Sequence, residues 1–188
     1  MYTMNRAEAV SETKGEIEIL APGNTDFFID AMSGLEKGDA PFHFERRRGD
    51  FAMSAKVRPE FTKKYDAGAL FVYDSGRKWI KLAFELTDLG HPSVVSVVTD
   101  KDSDDCNGES LEGKEEVSLQ IARKGDHWAL HYSIDGRKWK MVRYFRLKMK
   151  DEVRVGLEAQ SPVGRGCKAT FRGFKVVQGE IKDMRKGR

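Results

Sequence analysis

The sequence predicts an all-β protein, most simply a sandwich of two antiparallel sheets. Three observations carry this. Apolar and polar residues alternate with a period of two in run after run. No segment keeps a 3.6-residue apolar stripe for four turns, and Gly, Asp and Pro turns separate roughly a dozen short runs. A strand buries one face and wets the other, which is the pattern written here.

The elements follow in order. Residues 1–14 are polar and are expected to be frayed. "EIEILAPG" (16–23) is a short alternating strand stopped by Pro22-Gly23, "TDFFID" (25–30) pairs briefly, and 31–40 reads as loop. "PFHFERR" (41–47) sets Phe42, Phe44 and Arg46 against His43 and Glu45, and "DFAMSAKVRP" (50–59) puts Phe51, Met53, Ala55 and Val57 on one side. "AGALFVY" (67–73) leads through "DSGRK" into "WIKLAFEL" (79–86). There Ile80, Leu82 and Phe84 point one way and Trp79, Lys81, Ala83 and Glu85 the other. "PSVVSVVT" (92–99) is β-branched and runs into a charged stretch, 100–116, that reads as loop. "VSLQIAR" (117–123) and "HWALHYS" (127–133) flank a Lys124-Gly125-Asp126 turn. "KMVRYFRL" (140–147), "DEVRVGLEA" (151–159) and "CKATFRGFKVV" (167–177) complete the series.

A chain of 188 residues with 39% hydrophobic and 34% charged content reads as one globular domain, here residues 15–178 with a basic tail over 179–188. Lys plus Arg exceeds Asp plus Glu by 33 − 30 = +3, and no basic face stands out, so no nucleic-acid partner is expected. The tail "KDMRKGR" (182–188) reads as a solvated end. The N-terminus lacks an apolar leader, no run is long enough to span a bilayer, and two cysteines make no disulfide framework. These features predict a cytoplasmic protein with no membrane partner.

One repeat invites a functional reading. "YDSGRKW" (73–79) and "SIDGRKW" (133–139) share a turn, a basic pair and a tryptophan. Each joins two alternating runs, so both read as hairpins in which Asp and Gly supply positive φ and the basic residues face water. The Ser133-Ile134-Asp135-Gly136 form resembles the aspartate-box hairpin of sialidase-like proteins, itself mostly a folding device.

Several motifs fall in a fixed order: Pro41-Phe42, Asp50-Phe51, Asp66-Ala67-Gly68-Ala69-Leu70, Trp79-Ile80-Lys81 with Glu85, Ser96-Val97-Val98-Thr99 and Ser103-Asp104. After them come Ser133-x-Asp135-Gly136-x-x-Trp139, Arg143, Gly156-Leu157-x-Ala159-Gln160-Ser161-Pro162 and Phe171. Over residues 20–178 or so this series resembles the YesU-like family, whose fungal members are labelled regulation-of-enolase proteins, within the concanavalin A-like lectin/glucanase superfamily. The resemblance implies a jelly-roll sandwich with one concave and one convex sheet. It implies carbohydrate recognition or hydrolysis only by superfamily habit, since fold alone does not transfer function. One departure is plain: an aromatic residue normally follows the Ser103-Asp104 element, and here Asp105-Cys106 follow.

The candidate site is the polar face of the 79–86 strand. A tryptophan beside a lysine and a glutamate on a concave sheet has the composition of a sugar platform, stacking plus hydrogen bonds. A Lys81–Glu85 ladder on one strand face is the structural alternative. Tyr73 and Trp79 are expected to stack on a ligand. Lys81, Glu85, Gln160 and Arg143 are expected to hydrogen-bond it, and Ser96, Thr99 and Asp104 to line the rim. The alternative roles are a core-edge hydrogen-bonding residue for Gln160 and half of a structural ion pair for Arg143, while Gly156 leaves room for a neighbour or a ligand.

The expected ligand is a saccharide or small polar metabolite, with a protein partner or a second copy of the chain as the competing class. A glycoside hydrolase would need Glu85 and a second carboxylate at ~5–5.5 Å or ~6.5–9.5 Å. Glucanases of the resembled fold carry both acids on one strand, whereas 79–86 offers Glu85 alone, leaving a cross-strand Glu85–Glu158 pair. No catalytic residue, cofactor or metal is assigned. The four histidines form no ligand cluster, and "DKDSDDCNGE" (100–109) has the composition but not the spacing of a calcium loop, so it reads as a solvated turn.

Overall fold

A computed structural model describes residues 1–179 and 182–187, and among these it contains sixteen strands and no helix. The N-terminal segment expected to be frayed instead contributes two edge strands, β1 (Tyr2–Met4) and β2 (Ala9–Thr13). β3 (Glu16–Pro22) follows, and then a two-stranded flap: β4 (Phe27–Ile29), within the segment expected to pair briefly, with β5 (Glu36–Gly38), where a loop was expected. The alternating runs become β6 (Phe42–Arg48), β7 (Phe51–Pro59), β8 (Ala67–Ser75), β9 (Lys78–Leu86) and β10 (Pro92–Asp100). The charged stretch after β10 is not a loop: Asp102–Ser110 is β11, paired antiparallel to β10. β12 (Val117–Lys124), β13 (His127–Ser133), β14 (Lys140–Arg146), β15 (Glu152–Gln160) and β16 (Gly166–Gln178) complete the chain.

Two seven-stranded antiparallel sheets result, one ordered β1-β6-β15-β8-β9-β10-β11 and the other β14-β13-β12-β7-β16-β3-β2. One residue set of the β7 and β9 alternations meets between them, whereas Phe42 and Phe44 of β6 turn to the outer face. Leu70, Val72, Ile80, Leu82, Phe84, Val155 and Leu157 from the first sheet pack against Ile19, Phe51, Met53, Val57, Leu119, Ile121 and Phe171 from the second. Burial of this kind is the dominant favourable term in folding. The sheets approach closely at Gly68, where a Cβ would come within 2.9 Å of Ala169 Cβ and Val57 Cγ1.

The two similar turns do different work. Gly76-Arg77 closes the β8–β9 hairpin of the first sheet without a positive φ, contrary to expectation, whereas Gly136 between β13 and β14 does adopt one (φ 68). Asp135 closes the second turn, its Oδ1 accepting from Arg137 N (2.8 Å), Lys138 N (2.7 Å) and Ser133 Oγ (3.0 Å). The basic tail is also not free: the Gly187 and Arg185 carbonyls take Gln120 Nε2 (3.1 Å) and His131 Nε2 (3.2 Å), while Arg185 covers the Tyr144 ring. Glu180, Ile181 and Arg188 of that expected tail lie outside the described residues.

Candidate functional site

The outer face of the first sheet is assembled by register. Along β9, Trp79, Lys81, Ala83 and Glu85 lie opposite Tyr73, Phe71, Ala69 and Ala67 of β8. Those in turn oppose Arg154, Gly156, Glu158 and Gln160 of β15. Two halves result. At one end, Phe27 and Ile29 of the flap close over Phe42, Phe44, Phe71 and Trp79 as a second, aromatic core. At the other end Ala67, Ala69 and Ala83 make a floor of small side chains, over which Lys81, Glu85, Glu158 and Gln160 have room to lie.

Lys81 is the knot between the halves. Its Nζ donates to Asp26 Oδ1 (2.9 Å), to the Phe27 carbonyl (3.0 Å) and to Gln160 Oε1 (2.6 Å), which uses all three ammonium protons. Burial pulls its pKa down, but the charges of Asp26, Glu158 and Glu85 outweigh that and hold it above the ordinary value. Gln160 passes the connection on, donating from Nε2 to the Tyr65 carbonyl at 2.9 Å.

Tyr65 sits at φ 69, a left-handed conformation uncommon for a bulky residue. Asp66 holds the turn there: its Oδ2 accepts from Thr62 N, Thr62 Oγ1 and Lys63 N, each at 2.8 Å, and its Oδ1 accepts from Ser161 Oγ at 2.7 Å. That one buried carboxylate fastens the 60–66 loop to the 161–164 loop and so sets Tyr65, Pro162 and Val163 beside the sheet. The flap is fixed on the far side, where Ser103 Oγ accepts from Ile29 N (3.0 Å) and bonds Thr99 Oγ1 (2.8 Å).

Between flap, loops and sheet lies a cavity of about 570 Å³, within the range of small-molecule sites. Its polar lining comes from Asp26, Tyr65, Lys81, Glu85 and Gln160, with Asp88, Asp105 and Asn107 at one side and Lys37 on the flap. Its apolar lining is Phe28, Leu35, Val95, Val97, Pro162 and Val163. Glu85 is 7% exposed and has no hydrogen-bond partner among the described residues; burial drives its pKa up to about 8, with Lys81 opposing and Asp26, Glu158 and Asp105 reinforcing. Glu158 is sealed from solvent, neither oxygen has a hydrogen-bond partner, and burial again lifts its pKa to about 8.

The structure therefore brings together three of the nine expected site residues, Lys81, Glu85 and Gln160, and parts the others from them. Trp79, expected to stack on a ligand, is 0% exposed and lies edge-on to Phe27 at 5.5 Å, so it has no free face. Tyr73 belongs to the same aromatic block, with the Arg154 guanidinium 5.4 Å from its ring centroid. Thr99 is buried in the flap anchor, not on the rim. Ser96 is in register with Leu82 and so points to the inner face, where its Oγ is buried without a partner. Arg143 stands on the other sheet and pairs with Asp104 at 2.5 Å, which takes both away from the cavity and settles Arg143 as half of an ion pair. Gly156 makes room for a neighbour, since a Cβ would meet the His43 carbonyl oxygen of β6 at 2.1 Å. Of the Glu85–Glu158 pair, only Glu85 opens to the cavity.

Sequence reasoning missed Asp26, Tyr65, Asp105 and the apolar wall. Val95 and Val97 face the cavity while Ser96 does not, but "SVVSVVT" reads equally well in either phase. The signal for Tyr65 was present in Asp66, a lone acid before an apolar strand that a turn had to satisfy.

No curated protein sequence matches the chain. Solved structures do. A functionally unknown protein from Saccharomyces cerevisiae shares 22% identity with a TM-score of 0.89, over 96% of this chain and 97% of that one. A GH43 protein from Bacillus licheniformis gives 13% identity and a TM-score of 0.68, with 87% of this chain covering 33% of the other. The carbohydrate-binding module CBM66 from Bacillus subtilis gives 15% identity and a TM-score of 0.54, over 85% of this chain and 95% of that one. At these identities the likeness establishes the fold, a jelly-roll sandwich. Residues 3–178 match the profile of a family described as a protein of unknown function, DUF1349, and the chain belongs to that family.

Proposed function

We propose that this protein binds a carbohydrate or another small polar ligand in the cavity beside the flap, without turning it over. The observation that carries the reading is the cavity's mixed lining. Glu85, Asp26 and Tyr65 put polar groups into a cavity that Val95, Val97 and Val163 also line, which suits a molecule with one hydrophobic face and several hydroxyls. A carbohydrate-binding module of the same fold supports it. The motif series from Pro41 to Phe171 supports kinship with YesU-like proteins. Two free cysteines, one of them exposed, suit a reducing, cytoplasmic setting. No described helix is long and apolar enough to cross a membrane.

A second reading, capture of a protein partner's loop, is favoured by the exposed Met32, Leu35, Leu89 and Val163 on the flap and the nearby loops. Thermal-shift measurement over a saccharide and metabolite panel separates the two, comparing wild type with Val163→Trp, an exposed substitution that blocks the cavity. Stabilisation of wild type that the blocked variant loses supports small-ligand binding. No stabilisation across the panel, or stabilisation that survives the block, overturns it.

A further inference from the structure

We infer that the cavity takes a ligand that presents a cationic amine to Glu85, so that an amino-substituted saccharide fits it better than a neutral or acidic one. The inference rests on the reading of the cavity as a ligand site and adds the charge of what enters it.

Lys81 has spent its three protons on Asp26, Phe27 and Gln160, and Lys37 on the flap is engaged with the Asn24 carbonyl (2.9 Å) and Asp39 (3.6 Å). Lys81 has no proton left for an anion, and the charge of Lys37 already lies beside the Asp39 carboxylate. Two of the four acids in the lining are in the opposite condition; Asp26 already accepts from Lys81 Nζ and Phe27 N, and Asp88 from Asn107 Nδ2. Asp26, Glu85, Asp88 and Asp105 line the same cavity, and Glu85 and Asp105 have no hydrogen-bond partner among the described residues. Their convergence registers on a neighbour: burial, then Asp88, Glu85 and Asp105 in that order, raise the Tyr65 phenol above its ordinary value.

Glu85 is the decisive group. More than nine-tenths of it is buried, it lines the cavity, and nothing in the protein donates to it. A buried acceptor left without a donor is costly, and a ligand ammonium supplies both the missing donor and the opposite charge. The groups facing Glu85 are Lys81 on its own strand, Asp26 on the flap, Glu158 on β15 and Asp105 on β11. Three of the four are acids. An incoming ammonium adds a second cation where Lys81 alone faces the acids, and Glu85 then gives its proton to bulk solvent.

The test uses three sugars that differ at one carbon: 6-amino-6-deoxyglucose, glucose and glucuronate, titrated calorimetrically into the intact protein. Up to about pH 8 the amine on the primary carbon stays mostly protonated. The expected order is amine tightest, by about tenfold or more over glucose because charge-assisted bonds are roughly twice as strong as neutral ones, and glucuronate weakest. Amine affinity should rise from about pH 6 to about pH 8, and repetition in buffers of different ionisation heat should show proton release. Glu85→Gln copies the shape of the protonated acid and should erase the preference for the amine over glucose. Asp105→Asn, on an exposed edge strand, should lower the preference without risk to the fold. Equal binding of amine and glucose, or preference for glucuronate, overturns the inference and leaves the ligand-site reading standing. So does a preference that persists in Glu85→Gln. Binding of none of the three also overturns it, and the wider panel with Val163→Trp then judges the ligand site by itself.

Discussion

Lys81 donates to Gln160 Oε1 at 2.6 Å across the full width of β8, and the same ammonium holds Asp26 of the flap at 2.9 Å. One side chain thus ties the sheet, the flap and, through Gln160, the Tyr65 turn into a single unit. Lys81→Met keeps the length of the chain and removes the charge, leaving Asp26 and Gln160 without their donor. Unfolding in urea should show a loss of roughly 3 kcal/mol, the scale for breaking a buried pair from one side. A loss below about 1 kcal/mol would make the contact no better than a surface pair and sink this account.

Trp79 makes its contribution by packing. It is wholly buried among Phe27, Phe71 and the flap, and its indole N–H has no partner. Trp79→Ala should cost about 3–5 kcal/mol by leaving a cavity under the flap. Trp79→Phe keeps an aromatic ring there, removes the unpartnered N–H, and should cost distinctly less. A Trp79→Ala protein with wild-type stability would return Trp79 to the ligand-facing role its composition suggested.

The strands were legible because their signal is local. Period-two alternation in "FAMSAKV" and "WIKLAFEL" needs no knowledge of partners, and both runs fold as read. β11 was not legible: "DSDDCNGES" is polar on both faces because it is an exposed edge strand, and nothing in its composition distinguishes that from a loop. With it went the phase that turns Asp105 toward the cavity and Asp104 toward Arg143. The candidate face was found and its occupant misjudged for a different reason. A Trp-Lys-Glu face looks like an open platform only until a distant segment covers it, and the flap that buries Trp79 comes from fifty residues upstream.

Gly156 marks where β6 and β15 touch. A Cβ there would stand 2.1 Å from the His43 carbonyl oxygen and 2.8 Å from Phe44 Cα, both backbone atoms of a paired strand that cannot swing aside. Gly156→Ala should therefore lose at least about 3 kcal/mol or fail to accumulate as folded protein. Gly15→Ala, at a positive φ but with nothing within 4 Å, separates backbone strain from collision and should be much milder. Equal stability of the two variants would refute the collision.

Two buried acids give stability a definite pH dependence. Glu85 and Glu158 are raised from the ordinary 4.5 to about 8, chiefly by burial. Between those limits the unfolded chain has released protons that the native state keeps, so the native state is favoured below the unfolded pKa and loses that advantage as pH rises through the folded one. Asp135 acts with the opposite sign: the Lys138 and Arg137 amides hold it down to about 2, and its contribution fades only in more acidic solution. Tm should accordingly fall between about pH 5 and about pH 8. Glu158→Gln removes one of the two titrations without opening the sheet. It should leave Tm nearly unchanged near pH 5 and raise it near pH 8 by a few degrees, at about 2–4 °C per kcal/mol for a domain of this size. Calorimetric scans across that range decide it. A Tm profile of the same slope in wild type and Glu158→Gln would mean that the Glu158 carboxyl is not held protonated between the strands, and that Lys81 already balances it as a carboxylate.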